Sequence, residues 1–495
     1  MADQEETKGS PSFLELAPRK AGVRDLSRLL RDSDLTQRDF VDGSDDTQVK
    51  LKYRRLIFVS TLMQKLLLFF STPLAFMGRV FEMFLNFLSY NHSPCAFVKN
   101  LKRGTLIPRR DSAEFVSYIG FLDGRIKLEP NIKPGDGFKY YSALCMMASK
   151  VAYENKARIE HIVKDHLNME FLGFYSCWND YQQKTTTEVF LLRDKSDDRD
   201  TIVVAFRGTE PFSADDWCTD WDLSHHPLRD PKSHSLLGNV HDGFMKALGL
   251  SEVDEWPANY KDGTGKQNLA YYFIRDKLKT LLDASDRTNY IVTGHSLGGA
   301  LAILFPTILF CHDEKFLLER LQGVYTYGQP RVGDGMLGKF MERKLKEHNI
   351  RYFRFVYSYD MVPRLPYDDK DHWYKHFGKA LYYNPHYHGA AVTELPNKNY
   401  FSIILALATM VNAVYEMVRS FVIVTKMIMS AVYELGRCFV IHYTRGPYYK
   451  EGWVLCTTRI TGLLVPGVSD HSPQDYVNCT CLGQPGFPPE EMSDS

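Results

Sequence analysis

Residues 289–302 read NYIVTGHSLGGALA. The strand-like run Tyr290–Thr293 leads into Gly294-His295-Ser296-Leu297-Gly298, and the apolar run LGGALAILF behind it has helical character. Strand, tight G-x-S-x-G turn and helix in this order predict a serine on a strained corner with its hydroxyl exposed; small residues flank it because the backbones pack closely there. With glycine and serine each near 7% of residues, a chain of this length gives roughly 0.2 such matches by chance, so the setting more than the pattern singles out Ser296. The plain alternative is a serine capping a helix in a glycine-rich loop.

A serine hydroxyl is a weak nucleophile until a histidine takes its proton and an acid orients that histidine. After an elbow of this kind the acid and then the histidine are expected further along the chain. Asp360 ends the strand-like RYFRFVYSYD and precedes the extended MVPRLP, where a sheet delivers an acid to its active edge; Asp368, Asp369 and Asp371 lie in a hydrophilic loop and read as solvated. Six histidines remain as candidates for the base: His372, His376, His386, His388, His442 and His471. His471 has a polar late loop around it and ample chain to return to the site, and the residues alone do not exclude the others.

Outward from the elbow the pattern alternates. EVFLLRD (188–194) and TIVVAFRGT (201–209), separated by the charged KSDDRD, predict a hairpin. A helix is predicted over 267–285, with Arg275 on its surface, then the elbow, strand VYTYG (324–328), helix MLGKFMERKLKE and strand RYFRFVYS (351–358). Strands alternating with helices predict an α/β fold with a mostly parallel central sheet.

The balance of 60 basic against 60 acidic residues gives a net charge of +0 and nothing that points to nucleic acid. Nine cysteines, an odd and scattered set with no C-x-x-C pair and no zinc spacing, imply a reducing compartment; Cys479 and Cys481 read as incidental, and no metal or organic cofactor is implied. The opening MADQEETKGS lacks a basic start and an apolar core, so a protein on the cytosolic side, not secreted, is expected.

Two segments are unusually greasy. Residues 1–53 are polar and read as a weakly ordered lead-in, and 54–135 as a hydrophobic anchoring region with its linker. Within the latter, the uncharged stretch Leu66–Gly78 falls short of the ~20 residues of a spanning helix, and Pro73 stands in its middle. Two short arms meeting at Pro73, with Arg54, Arg55, Lys65 and Arg79 reaching a polar surface, predict a membrane-embedded hairpin; a buried helix pair is the alternative. The second segment, 400–444, carries Asn412, Glu416, Arg419, Lys426, Ser430, Glu434 and Arg437 on one narrow stripe of an otherwise apolar helix, with Thr425 outside it. A break near Gly436 is expected, and three uses stand open: lying in a lipid surface, pairing with another protein or copy of the chain, or covering the domain's own core.

GHSLGGALA, TYGQPRVGD (326–334), YDMVPRLP (359–366), VAFRGTE (204–210), VHDGF (240–244) and SDHSPQDYV (469–477) together resemble the class 3 lipases, the fungal-lipase-like α/β-hydrolases, and most nearly the plant oil-body triacylglycerol lipases. The resemblance implies an α/β-hydrolase domain over 136–480 carrying the 400–444 insert, with 481–495 as a tail. It implies a triad of Ser296, Asp360 and His471, the last lifted above its rivals by the D-H-x-x-x-x-Y context, and an oxyanion hole from Thr209 and the backbone N–H of Leu297. A lid is implied after Thr209, with Trp217 and Trp221 as apolar members or else as fixed core; His225 and His226 read as surface residues. The expected reaction is hydrolysis of triacylglycerol, and of its di- and monoacyl products, at lipid-droplet surfaces on the cytosolic face. A phospholipase A1 or galactolipase and a non-catalytic droplet scaffold are the rival readings, and a homo-oligomer joined through the hydrophobic helices a further expectation.

Overall fold

The apolar runs around the elbow form the middle of a sheet in the computed structural model of the chain, which describes residues 13–31, 39–43, 51–196, 199–250, 257, 268–366, 374–396, 413–464 and 467–483. A small sheet of order β2-β1-β6-β7 combines β1 (Leu14–Leu16), β2 (Val41–Gly43), β6 (His225–Arg229) and β7 (Leu236–His241). The large sheet has eight strands: β3 (Glu170–Asn179), β4 (Lys184–Lys195), β5 (Asp200–Phe206), β8 (Asn289–His295), β9 (Leu321–Tyr327), β10 (Arg351–Tyr357), β11 (Ala380–Tyr383) and β12 (Gly389–Val392). Its order is β12-β11-β10-β9-β8-β5-β4-β3. From β5 to β11 neighbours run parallel, and antiparallel pairs close both edges, including the predicted β4–β5 hairpin.

Strand periodicity sorts the core into two layers. On β5, Ile202, Val204 and Phe206 point to one side, where the helix Ala270–Asp283 and the wholly buried helix that follows Ser296 pack. Val203 and Ala205 point to the other, against the helix Phe138–Val151. Arg275 departs from its expected surface position: it is buried, with its guanidinium over the rings of Tyr271 and Tyr272.

The lead-in is not weakly ordered throughout. Leu14 and Leu16 alternate inward on β1, which pairs with β2 and with β6, and Leu26 and Leu29 of the helix Val23–Arg31 join the same core. His225 and His226 correspondingly lie buried on β6 rather than at the surface.

Pro73 does not turn the chain. Helix α1 runs unbroken over Leu51–Tyr90, so the expected hairpin is replaced by one 40-residue helix. Tertiary contacts on both sides of the proline explain this. Ser60 Oγ donates to the Trp221 carbonyl at 2.7 Å, Gly78 lies so near the Phe212 ring that a Cβ would stand 2.5 Å from it, and Asn86 exchanges two 2.9 Å bonds with the backbone of Val116. Ser60 and Asn86 are about 39 Å apart along a helix rising 1.5 Å per residue. Although α1 meets the length and composition of a membrane span, a helix held to the domain at three points over that distance lies along its surface. Pro73 is on the exposed side, where the bond it removes costs little core structure.

After α1 come α2 (Pro94–Lys102), α3 (Tyr118–Leu122), α4 (Phe138–Val151), α5 (Ala214–Trp221), α6 (Leu297–Cys311), α7 (Ala413–Arg445), α8 (Trp453–Leu464) and α9 (Pro473–Leu482). Helix α7 passes through Gly436 without the expected break. Asn412 lies outside the described residues, as do the side chains of Glu416 and Arg419. Of the remaining stripe, Lys426 is exposed while Ser430, Glu434 and Arg437 are buried; Met429, Val432, Phe439, Val440 and Tyr443 face outward. The helix is thus turned with polar groups inward.

What those groups meet explains the orientation. Arg459 of α8 reaches Glu434 at 2.9 Å, Glu451 at 3.0 Å and Asp475 of α9 at 3.0 Å, and Arg437 reaches the same Asp475 oxygen at 2.7 Å. Burial holds Glu434 well above the usual carboxylate range. A protonated Glu434 leaves two carboxylates for two guanidinium groups, which is how a buried charge cluster avoids an uncompensated ion.

Candidate active site

Ser296 adopts φ 60° and ψ −133°, a conformation that costs a non-glycine residue free energy, between the end of β8 and the start of α6. Its neighbours have to be glycine: a Cβ on Gly294 would stand 2.1 Å from the Gly298 carbonyl oxygen, and one on Gly298 2.3 Å from that of Phe206. The corner is fixed by the Ser296 N–H donating to the Tyr327 carbonyl at 2.9 Å. The His295 ring lies 4.5 Å from that of His471, with its Nδ1 at 2.9 Å from the Tyr153 hydroxyl, and burial keeps it neutral by lowering its pKa well below normal.

Asp360 follows β10. Its Oδ1 accepts the Val362 N–H at 2.9 Å, and its Oδ2 lies 2.8 Å from His471 Nδ1 and 2.5 Å from the Tyr476 hydroxyl. A carboxylate partner at Nδ1 requires the proton there and leaves Nε2 as the basic nitrogen. His471 ends a short turn, Ser469–His471, and Tyr476 stands on α9 just after it, so the turn and the helix behind it together carry both contacts to Asp360. Asp475, bonded to Arg437 and Arg459, is the neighbour of Tyr476 and ties α9 to α7 and α8.

Ser296 Oγ and His471 Nε2 are both buried and accept or donate no hydrogen bond among the described residues. The elbow and the acid–histidine pair are therefore formed while the link between them is open. Ser296 is 1% exposed, so a substrate reaches it only after the covering residues move.

Thr209 follows β5 through Arg207 and Gly208 and is buried. Its hydroxyl donates to Asp220 Oδ2 at 2.8 Å. Leu297 opens α6, so its N–H has no carbonyl within the helix and sits at the positive end of the helix dipole. Trp217 and Trp221 lie on α5, both half-buried; the Trp217 indole donates to the Pro211 carbonyl at 3.2 Å, and α1 packs across the helix. A cavity of about 600 Å³ lies between α1, α3 and the loop after Thr209, with Phe76, Tyr118, Tyr153 and Phe212 in its walls.

The other histidines are elsewhere. His376 Nε2 donates to the Pro363 carbonyl at 2.7 Å, and the half-buried ring has its pKa pushed well below normal by desolvation. His386 bonds the Tyr433 hydroxyl, the His442 ring lies tilted 3.8 Å from that of Tyr443, and His388 is exposed. His372 and the acids Asp368, Asp369 and Asp371 lie outside the described residues. Among the described residues no three His, Cys, Asp or Glu side chains gather as a metal set.

Two residues at the site carry no signal in the sequence. Asp220 is one of several acids in ADDWCTDW; burial raises its carboxyl to about 7, and the Thr209 hydroxyl bond offsets part of that. Tyr153 lies just past α4, and its bond to His295 and its close approach to Gly208, where a Cβ would stand 2.1 Å from its hydroxyl, bring it to the elbow.

Over residues 203–370 the chain matches the family described as lipase (class 3). It is 39% identical to triacylglycerol lipase OBL1 of Nicotiana tabacum, covering 96% of this chain and 95% of that one. It is 38% identical to triacylglycerol lipase OBL1 of Arabidopsis thaliana, covering 95% of each. The solved triacylglyceride lipase of Rhizomucor miehei is 22% identical with a TM-score of 0.35, over 49% of this chain and 77% of that one.

Proposed function

The chain belongs to the class 3 lipase family, with the plant triacylglycerol lipases it matches along nearly its whole length, and from that premise we propose that it hydrolyses triacylglycerol at the surface of lipid droplets through an acyl-enzyme on Ser296. The bond between His471 Nδ1 and Asp360 carries this reading, because it leaves Nε2 as the base on the side of the elbow. His471 Nε2 takes the Ser296 proton as Oγ attacks the ester carbonyl. The oxyanion is met by the N–H groups of Thr209 and Leu297, each such donor contributing roughly 10²–10³ in rate. His471 returns the proton to the leaving glycerol oxygen. Water, deprotonated by the same nitrogen, then releases the fatty acid and restores Ser296. Asp360 holds the imidazole in the required tautomer, and Asp220 fixes the Thr209 side chain.

The buried serine supports a substrate met at an interface, with α1 and the α5 segment as the roof that has to move. The flat course of α1 supports docking along a droplet surface from the cytosolic side, with its outward side chains in the lipid. The test is release of fatty acid from emulsified triacylglycerol and from phospholipid vesicles by the protein and its Ser296→Ala variant. Turnover of the emulsion that falls at least about 10⁴-fold in the variant is expected. Preference for the vesicles would shift the substrate to phospholipid, and no release from either would make the protein a scaffold.

A further inference from the structure

Helix α1 has two faces of different chemistry. Leu66, Phe69, Phe70, Phe76, Met77, Val80, Met83, Phe84 and Leu88 are exposed; at 100° per residue they occupy one stripe roughly 140° wide, opposite the buried Gln64, Gly78, Leu85 and Asn86. From Leu66 to Leu88 the stripe is about 33 Å long. Phe87, within this stripe, meets Phe97 of α2 edge to face at 6.5 Å, which continues the apolar surface onto Phe97, Val98 and Leu101.

The charge along this surface is one-sided. Between Leu66 and Arg110 the chain has six cations and one carboxylate, Glu82, in a protein whose net charge is +0. Glu82 is turned inward, accepting the Tyr118 N–H at 3.1 Å. Arg109 is paired with Asp111 and Arg110 with Glu82. Arg79, Lys99, Lys102 and Arg103 are exposed, and no carboxylate among the described residues forms an ion pair with them. The last three share α2 and its C-terminus with Val98 and Leu101.

We propose that α1 and α2 form a docking surface for a phospholipid monolayer bearing anionic headgroups, with the phenylalanine and methionine stripe in the acyl layer and Arg79, Lys99, Lys102 and Arg103 on the phosphates. This deepens the reading of a droplet-surface enzyme and rests on it. An exposed apolar helix stripe suits a fluid apolar layer, and apolar side chains below a basic rim are the arrangement that interfacial helices use at such a boundary. Basic side chains each strengthen binding to an anionic surface about five-fold, an effect that salt screens.

The test uses the full chain and the variant K99Q/K102Q/R103Q, floated with triolein emulsions coated either by phosphatidylcholine alone or by phosphatidylcholine with phosphatidylserine, at low and high salt. Hydrolysis of soluble p-nitrophenyl butyrate is followed in parallel. The wild-type protein is expected to bind the anionic coat at least roughly ten-fold more tightly than the neutral one, and to lose that margin in high salt. The variant is expected to lose on the order of 100-fold on the anionic coat, with soluble-ester turnover unchanged. Equal, salt-independent binding of the wild type to both coats overturns the anionic partner and leaves the droplet reading standing. Flotation with neither coat overturns the droplet reading itself. If the variant lost soluble-ester turnover, its fold would be at fault and the salt dependence of the wild type would decide.

Discussion

The two long helices, α1 packed on α5 and α7 packed on α8 and α9, both turn apolar residues outward, yet their inner faces are held in different ways. The floor under His471 is built from α7, α8 and α9 and closed by paired charges, Arg437 and Arg459 against Glu451 and Asp475, with Glu434 bonded to Arg459, all of them buried. The proposed roof joins α1 to α5 by a hydroxyl bond to the Trp221 carbonyl and to the loop ahead of α5 by packing of Gly78 on the Phe212 ring. Beneath it are carboxyls that burial keeps partly protonated, Asp220 raised to about 7 and Asp222 to about 6. Charges locked in pairs make a rigid support for the acid–histidine pair, whereas buried carboxyls held by hydroxyls and amides are released once water enters. The difference supports the proposal that the α1 side opens while the α7 side stays preorganised.

The contrast is broken most directly at Arg459. Replacing it with methionine leaves Glu451 and Asp475 short of a cation in a fully buried site, and a loss of about 3–5 kcal/mol of stability is expected by denaturant unfolding. A loss under about 1 kcal/mol would mean that the floor is not held by its charges. The roof responds to pH instead. Asp220 has a reference pKa of 3.8 and a folded value of about 7, so across that interval the folded state keeps a proton that the unfolded chain has given up. Its contribution is full below pH 3.8 and is lost as pH rises through about 7, a fall of up to about 4 kcal/mol. Asp220→Asn is expected to flatten the upper part of this slope, leaving the share of Asp222, and the Arg459 variant to leave the slope in place. A slope unchanged in Asp220→Asn would remove the roof's carboxyl from the explanation.

The sequence carries local relations and loses distant ones, and the same two regions show where the line falls. The elbow is legible because strand, glycines and helix are consecutive, and the parallel sheet because β-branched runs alternate with helical ones. Asp360 and His471 stand 111 residues apart, and only motif context selects them from nearby acids and histidines. The stripe on α7 is visible as a period, but a period does not say which side faces out; Arg459 and Asp475, distant in sequence from Glu434, settle that. Asp220 resembles its acidic neighbours until the fold sets it against Thr209. β1 is three residues long and finds its partner β6 some two hundred residues later, which is why the lead-in reads as polar chain.

Pro73 is the case in which a strong local signal is overruled, and replacing it sharpens the account of the roof by the smallest of these effects. A proline inside a helix costs about 3 kcal/mol relative to alanine. Alanine also frees the unfolded chain, which takes back up to about 1 kcal/mol. With Ser60, Gly78 and Asn86 holding α1 straight on either side, Pro73→Ala is expected to raise stability by about 2 kcal/mol in urea unfolding and to leave flotation with emulsions unchanged. Were Pro73 the apex of two arms in the lipid, the substitution would straighten a turn that docking needs, and both stability and flotation would fall. A fall in either returns α1 to a hairpin and takes with it the straight apolar edge along which the roof meets the lipid.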